Sequence, residues 1–367
     1  MRILFLSAGN SVHTVRWVNA LSERGHEVHL IYNNDHVPLS DKVNDQVIQH
    51  KLKRKGVLAY YLNARELSQL CKNIRPEIIN VHYASGYGTL ARVANLNPII
   101  LSVWGSDVYD FPYESKIKMS VLRKNIRHAH IIASTSYSMA KQVERLMDAK
   151  INVTITPFGV DTNIFKPMKR IKENFTFGVV KTLLPKYGIS YIIKGFKILL
   201  NRIQDEKLPY SPILEIYGKG SMEKELKHLC DDLMISDKVF FRGYIPNKEI
   251  HLAINKMDVF CLGSVNDSES FGVAAVEAMA CEVPVIATDV SGFKEVVVDG
   301  ETGFLIPRKD EKIIAEKMYE LMIDDNLRRT FGGNGRKRVL SLYDWKSNVD
   351  LMEELYKRHC KSSISLV

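Results

Sequence analysis

Two glutamates eight positions apart, Glu269 and Glu277, stand in the segment Ser268-Glu269-Ser270-Phe271-Gly272-Val273-Ala274-Ala275-Val276-Glu277. The second lies inside a run of alanine, valine and methionine, where a charge is out of place. At about 1.5 Å per residue, eight helical positions cover roughly 12 Å, the reach from the sugar of a nucleotide-sugar across its diphosphate to the ribose. Two readings compete on spacing alone. A carboxylate near a helix start is favoured by the helix dipole, and a second one can simply lie on a solvated face; alternatively, the pair holds the two ends of a ligand. Composition favours the ligand. Residues 271–281 are apolar nearly all round, so a helix there is buried, and a buried carboxylate needs donors, which the two hydroxyls of a ribose supply.

Other residues suit the same chemistry. The N–H groups of Phe271, Gly272 and Val273 would face a phosphate at the start of that helix, with Ser270 beside them in the donor-binding set. Lys181 and Lys186, in Val180-Lys181-Thr182-Leu183-Leu184-Pro185-Lys186-Tyr187-Gly188, supply two cations for a diphosphate whose charge grows as the sugar bond breaks; surface lysine in a basic protein is the plainer alternative. Gly218 and Gly243 follow strands in turns where backbone groups would read a flat base. Gly9 and Asn10, in Ser7-Ala8-Gly9-Asn10-Ser11-Val12-His13, follow the first strand, and the glycine permits close approach to a ligand or simply a tight turn. Trp104 and Asp107 end another strand in Val103-Trp104-Gly105-Ser106-Asp107. His13, His82 and Asp107 would face a cleft, although a lone histidine is more often structural. No Asp-x-Asp pair is present, so neutralising a diphosphate falls to lysine and helix dipole rather than to magnesium. No metal or cofactor is expected, and the donor itself is a substrate.

These residues need a frame, and short apolar runs alternating with amphipathic stretches provide one: parallel sheets covered by helices. Strands are expected over Arg2–Leu6, Glu27–Tyr32, Ile78–Val81, Ile99–Val103, His130–Ala133 and Val153–Ile155. The alternation restarts with Phe175–Val180, Ile213–Tyr217, Val239–Phe241, Val259–Leu262, Val283–Ala287 and Gly303–Leu305. Between the sets, Thr156–Asp161 and Lys166-Pro167-Met168-Lys169-Arg170 form a polar linker. The boundary is placed near residue 168, giving domains 1–168 and 169–343, with a helix from Asp344 to His359 in a tail, 344–367, that joins the first. In open parallel sheets ligands bind beyond the carboxyl ends of the strands.

At 367 residues the chain suits two domains. Its five cysteines are odd in number and lack a Cys-x2-Cys pair, which argues against a disulfide framework or structural zinc and for a reducing compartment. The opening apolar run is too short for a signal-peptide core, and no run reaches the roughly 18 apolar residues of a membrane span. A soluble, cytoplasmic chain is expected. The net charge of +9 is uneven: residues 1–150 hold 20 Lys+Arg against 12 Asp+Glu (+8), leaving 31 against 30 (+1). The excess gathers in Lys51–Lys55 and in Lys116–His128, where Ile117, Val121 and Leu122 recur at helical spacing, as in a solvated helix packed by its apolar stripe or one lying on anionic lipid. No nucleic-acid-binding pattern appears.

The chain resembles the family-4 retaining glycosyltransferases of the GT-B fold over nearly its whole length. The resemblance rests on Glu269 to Glu277, on Pro284-Val285-Ile286-Ala287-Thr288 with Gly292, Glu295 and Asp299-Gly300-Glu301-Thr302-Gly303, and on Pro157-Phe158-Gly159-Val160-Asp161. It implies an α/β fold of two Rossmann-like domains facing across a cleft, a last helix crossing back to the first domain, an acceptor bound by the first and a nucleotide-sugar by the second. It implies metal-independent transfer of a sugar with retention, Glu269 touching donor hydroxyls, Glu277 the ribose, and Lys186 with Lys181 the diphosphate. A glycan or polyprenyl-diphosphate-linked acceptor of surface polysaccharide synthesis, with an anionic membrane surface as a further partner, completes the expectation. Three departures stand out: Lys181-Thr182 replaces the usual Gly-Arg, Gly9-Asn10 the usual Gly-Gly, and Trp104 the histidine before Gly-x-Asp, whose sugar contact His13 would then take. A nucleotide-sugar epimerase or hydrolase, and a non-catalytic binding subunit, are the rival functions.

Overall fold

The structure, a computed structural model, describes residues 1–39, 42–169 and 174–364. The chain divides into two compact units, residues 1–158 joined by the chain from Lys346 onward, and residues 159–345. In the first unit β1 (Arg2–Leu6), β2 (Glu27–Tyr32), β3 (Ile48–Lys51), β4 (Ile78–His82), β5 (Ile100–Val103), β6 (Ile131–Ser134) and β7 (Val153–Ile155) form one parallel sheet in the order β3-β2-β1-β4-β5-β6-β7. Ile3, Leu4, Phe5 and Leu6 are all fully buried, as expected of a strand covered on both faces, which reads as a run of apolar residues rather than an alternation. Serine caps start two of the helices: Ser115 Oγ accepts from the N–H of Lys118 at 3.2 Å, and Ser136 Oγ from that of Met139 at 3.1 Å.

The second unit repeats the plan with β8 (Thr176–Val180), β9 (Ile213–Tyr217), β10 (Val239–Gly243), β11 (Val259–Leu262), β12 (Val285–Thr288) and β13 (Gly303–Ile306), ordered β10-β9-β8-β11-β12-β13 and parallel throughout. Each sheet starts near its middle, winds to one edge, then returns and winds to the other. The direction reverses between β1 and β4, and again between β8 and β11. Such a reversal leaves the loops beyond the carboxyl ends diverging, which opens a crevice within the unit.

The final helix, Trp345–Ile364, belongs to the first unit, as the resemblance implies. Val349, Met352, Leu355 and Tyr356 are buried, and Asn80 Nδ2 donates to Tyr356 Oη at 2.6 Å. Arg24 binds Asp350 (2.5 Å) and Glu353 (3.1 Å), and His26 Nε2 meets Glu353 Oε1 at 2.7 Å.

Several expectations shift. Strand β3 has no apolar run to announce it; it is an edge strand whose Ile48 is 44% exposed, so nothing selects for alternation there. The first helix runs from Val12 to Glu23. The units divide after Phe158 rather than near residue 168, because the chain beyond Gly159 packs on the second unit: Val160 N donates to Tyr343 O (2.8 Å), Arg336 to Phe165 O (3.1 Å), and Met168 N to Asn255 Oδ1 (2.9 Å). Arg170 at the end of the expected linker and residues 365–367 of the tail lie outside the described residues.

Candidate active site

The second unit gathers charge at its reversal point. Lys181 is the first residue beyond β8, and its side chain forms an ion pair with Glu269, on the loop after β11, at 2.5 Å. The two side chains are only 18% and 11% exposed. The short helical turn Pro185–Tyr187 sets the Tyr187 ring 4.6 Å from the Lys181 ammonium and 5.3 Å from that of Lys186, cation–π range for both. Burial works against the Lys181 charge, but Glu269 first, then Tyr187 and Glu277, more than offset it and raise its pKa above the ordinary lysine value.

The turns beneath this cluster are built by close backbone approach. Gly218, at φ 142°, has room for no side chain, since a Cβ would lie 1.9 Å from Lys181 O. Its N–H donates to Gly243 O at 2.7 Å, and Lys181 N donates to Tyr217 O at 3.0 Å. Gly218 and Gly243 therefore fix the loops that carry Lys181, a packing role that the expected reading of a base did not include.

Glu269 is positioned by its neighbours rather than by a helix. Asp267 accepts from Ser291 N and Oγ (both 2.8 Å) and from Arg308 Nη2 (2.7 Å), donors that outweigh burial and keep its carboxyl below the usual range. Gly292 N donates to Glu269 O at 3.0 Å. The helix itself begins only at Val273, after Gly272 at φ 89°, so eight helical positions do not separate the glutamates. The expected 12 Å helical ruler is thus corrected: Glu269 sits on a loop, and both carboxylates act on the Lys181 ammonium. Ser270 and Phe271 are buried, Phe271 edge-on to Tyr343 at 5.6 Å. On the helix Val273–Ala280 every residue is buried except Val273 and Glu277, four positions apart on one partly open face. First-turn N–H groups of such a helix lack intrahelical acceptors, and here they start beside Glu269.

The first unit places its candidates differently. His13 stacks on Phe158 at 4.2 Å and meets Trp104 edge-on at 5.9 Å. Burial, with the nearby Arg16 charge, lowers its pKa to about 4, so the ring is neutral at pH 7. His82 is fully buried between Phe5 and Trp104 (4.5 and 4.3 Å), and neither ring nitrogen has a hydrogen-bond partner. Asp107 is corrected from a cleft-facing group to a loop clamp: fully buried, it accepts from the N–H groups of Ala84 (2.8 Å), Trp104 (3.1 Å) and Gly105 (2.8 Å). Gly9 is required by packing. A Cβ there would lie 2.6 Å from Pro38 and 2.8 Å from His36 O, so one close approach that it permits is by its own chain, while Asn10 is exposed.

The family model described as glycosyl transferases group 1 matches residues 160–338, and that described as glycosyl transferase 4-like matches residues 2–136. CapM of Staphylococcus aureus, a capsular polysaccharide biosynthesis glycosyltransferase, is 30% identical over 374 residues, covering 94% of this chain and 93% of its own. The chain is a group 1 glycosyltransferase. Among solved structures, sucrose-phosphate synthase of Thermosynechococcus elongatus superposes on this glycosyltransferase with a TM-score of 0.82 at 18% identity, covering 98% of each chain. HepE of Anabaena, solved in complex with UDP, does so with 0.79 at 16% identity, covering 98% of this chain and all of its own. Both likenesses establish the GT-B fold.

Three residues of the candidate site escaped the sequence. Tyr187 had a local signal, an aromatic directly after Lys186 in a turn. Asp267 and Arg308 had none, because their pairing joins positions 41 apart.

Proposed function

We propose that this glycosyltransferase moves a sugar from a nucleoside diphosphate to a glycan or lipid-linked acceptor, with retention at the anomeric carbon and no metal, in the synthesis of a surface polysaccharide such as O-antigen, capsule or exopolysaccharide. The observation that carries this reading is the Lys181–Glu269 pair at the reversal point of the second sheet, with Tyr187, Lys186 and Glu277 around it. The name of CapM supports the polysaccharide role, and the UDP bound to HepE supports a nucleotide donor. In this reading the second unit binds the donor and the first the acceptor.

The acceptor oxygen attacks C1 on the face from which the diphosphate departs. The C1–O bond to phosphate breaks as the new C1–O bond forms, and a leaving-phosphate oxygen takes the acceptor proton, giving the glycoside and the nucleoside diphosphate. Lys181, Lys186 and the helix start before Val273 stabilise the departing charge, Glu269 holds donor hydroxyls, and Glu277 holds the ribose. The basic first unit meets the acceptor at the cytoplasmic membrane face. Steady-state kinetics on Glu277→Ala and Glu269→Ala test the assignment: the first raises the donor's apparent dissociation constant, the second chiefly lowers turnover, and unchanged constants in both would sink it. Turnover that survives a chelator checks the absence of a metal requirement.

A further inference from the structure

Four large exposed apolar residues of the first unit gather in one short segment. After β3 the chain runs Lys53-Arg54-Lys55-Gly56-Val57-Leu58-Ala59-Tyr60-Tyr61-Leu62, with Val57 79%, Leu58 69%, Tyr61 45% and Leu62 62% exposed. Exposed apolar side chains scattered singly need no explanation, whereas a contiguous patch rimmed by polar residues marks an interaction site.

The segment is held from beneath. Leu52 is fully buried and donates its N–H to Tyr32 O at 2.9 Å. Asn63, also fully buried, accepts from Arg54 N (3.0 Å) and donates to Arg54 O (3.2 Å) and Asn33 Oδ1 (2.9 Å). Gly56 N donates to Asp35 Oδ2 at 2.8 Å, and Tyr60 turns inward onto Tyr87, ring centroids 5.4 Å apart. With its base fixed in this way, the structure displays Val57, Leu58, Tyr61 and Leu62 rather than leaving them out by looseness.

The charge around the patch has one dominant sign. Lys53, Arg54 and Lys55 precede it, Arg65 follows it, and among the described residues none of the four forms an ion pair. The nearby carboxylates of Glu66 and Asp35 are engaged by backbone N–H groups of Lys53 and Gly56. A second element of the same kind follows β5: Tyr113 is 63% and Ile117 76% exposed, beside a shallow cavity lined by Lys116, Arg123, Lys124 and Arg127. Because β3 and β5 run parallel in one sheet, both segments leave it at its carboxyl edge, four strand spacings or roughly 19 Å apart.

We propose that this edge docks on an anionic lipid bilayer. Val57, Leu58, Tyr61 and Leu62 enter the boundary between headgroups and acyl chains, Lys53, Arg54, Lys55 and Arg65 meet lipid phosphates, and the Tyr113–Ile117 segment adds a second contact. Amphipathic elements with cations beside apolar and aromatic residues bind such surfaces through combined burial and electrostatic attraction. A stable protein interface needs about 800 Å² per partner with charge depleted at its centre, more than four side chains offer. The inference rests on the proposed lipid-linked acceptor and names the surface on which it would be met.

Co-sedimentation of the full chain with phosphatidylglycerol–phosphatidylcholine vesicles, and with phosphatidylcholine vesicles alone, tests it. The wild type, Leu58→Ser/Leu62→Ser and Lys53→Gln/Lys55→Gln are compared, with thermal shift by UDP and GDP measured on the same preparations. Wild type sediments with the anionic vesicles and less so in high salt; each variant loses about tenfold or more of its partition, while unfolding midpoints and nucleotide shifts stay unchanged. Wild type that remains in the supernatant with both vesicles, or variants that sediment like wild type, overturns the proposal. So does a wild-type dimer that light scattering finds monomeric in the Leu58/Leu62 variant, which gives the patch to a second copy. Vesicle binding without any nucleotide shift supports the docking surface and counts against the donor reading alone.

Discussion

Lys181 is where burial and charge pull hardest against each other. Its ammonium is mostly shielded from water, yet Glu269, Tyr187 and Glu277 hold its pKa above the ordinary value. A raised lysine pKa contributes stability that is complete below the unfolded value, about 10.4, and is lost as pH climbs through the folded one. Lys181→Met therefore destabilises the fold by ~2 kcal/mol at neutral pH, because Glu269 loses its partner in a mostly dry place, and the gap to wild type narrows in alkaline solution. Urea unfolding of both proteins at pH 7 and across the alkaline window reads this directly. A gap that holds constant through the window would assign the energy to packing. The same ammonium is the group proposed to meet the diphosphate, so free protein keeps it charged and positioned by spending it on Glu269 until a donor arrives.

At the scale of elements, the site depends on a loop held by strangers in sequence. Gly292 illustrates this: a Cβ there would stand 2.4 Å from Glu269 O and 2.6 Å from Phe271 N. Gly292→Ala must push the Glu269 loop outward, which is expected to lower turnover on the order of a hundredfold while costing about 1–3 kcal/mol of stability; kinetics paired with thermal unfolding measure both, and unchanged turnover would show that the loop's position is not limiting. Expected strands such as Arg2–Leu6 and Val259–Leu262 match the structure because doubly covered strands are apolar along nearly their whole length and leave no competing pattern. Glu269, Glu277 and the two lysines were legible as unusual charges beside apolar runs. The edge strand Ile48–Lys51 was not, being half solvated, and neither was the Asp267–Arg308 clamp, which only folding brings together. Asp107 misled for a related reason: an acid after a strand signals a specially hydrogen-bonded backbone, and the chain itself can be the partner.

At the scale of the whole molecule, the chain leaves the first unit after Phe158 and returns to it at Lys346. The entire second unit is thus inserted within the covalent path of the first, whose completion waits for the last helix. That helix is fastened by burial of Val349, Met352, Leu355 and Tyr356, and by one polar knot in which Glu353 meets both Arg24 and His26. Burial works against the Glu353 charge, but the His26 hydrogen bond and the Arg24 charge more than offset it and hold its pKa below the ordinary carboxylate value. A depressed carboxylate pKa gives stability that is present above the unfolded value, about 4.3, and disappears as pH falls through the folded one. Glu353→Gln is therefore expected to cost about 1–2 kcal/mol at pH 7, as the Arg24 cation loses its anion and the His26 hydrogen bond loses its carboxylate, and the difference from wild type should close as the solution is taken below pH 4. Amide hydrogen exchange locates the effect: faster exchange confined to the last helix and to β4, which carries the Asn80 contact to Tyr356, means that the knot fastens the returning helix. Uniformly faster exchange across both units would mean instead that the helix and everything inserted before it open together.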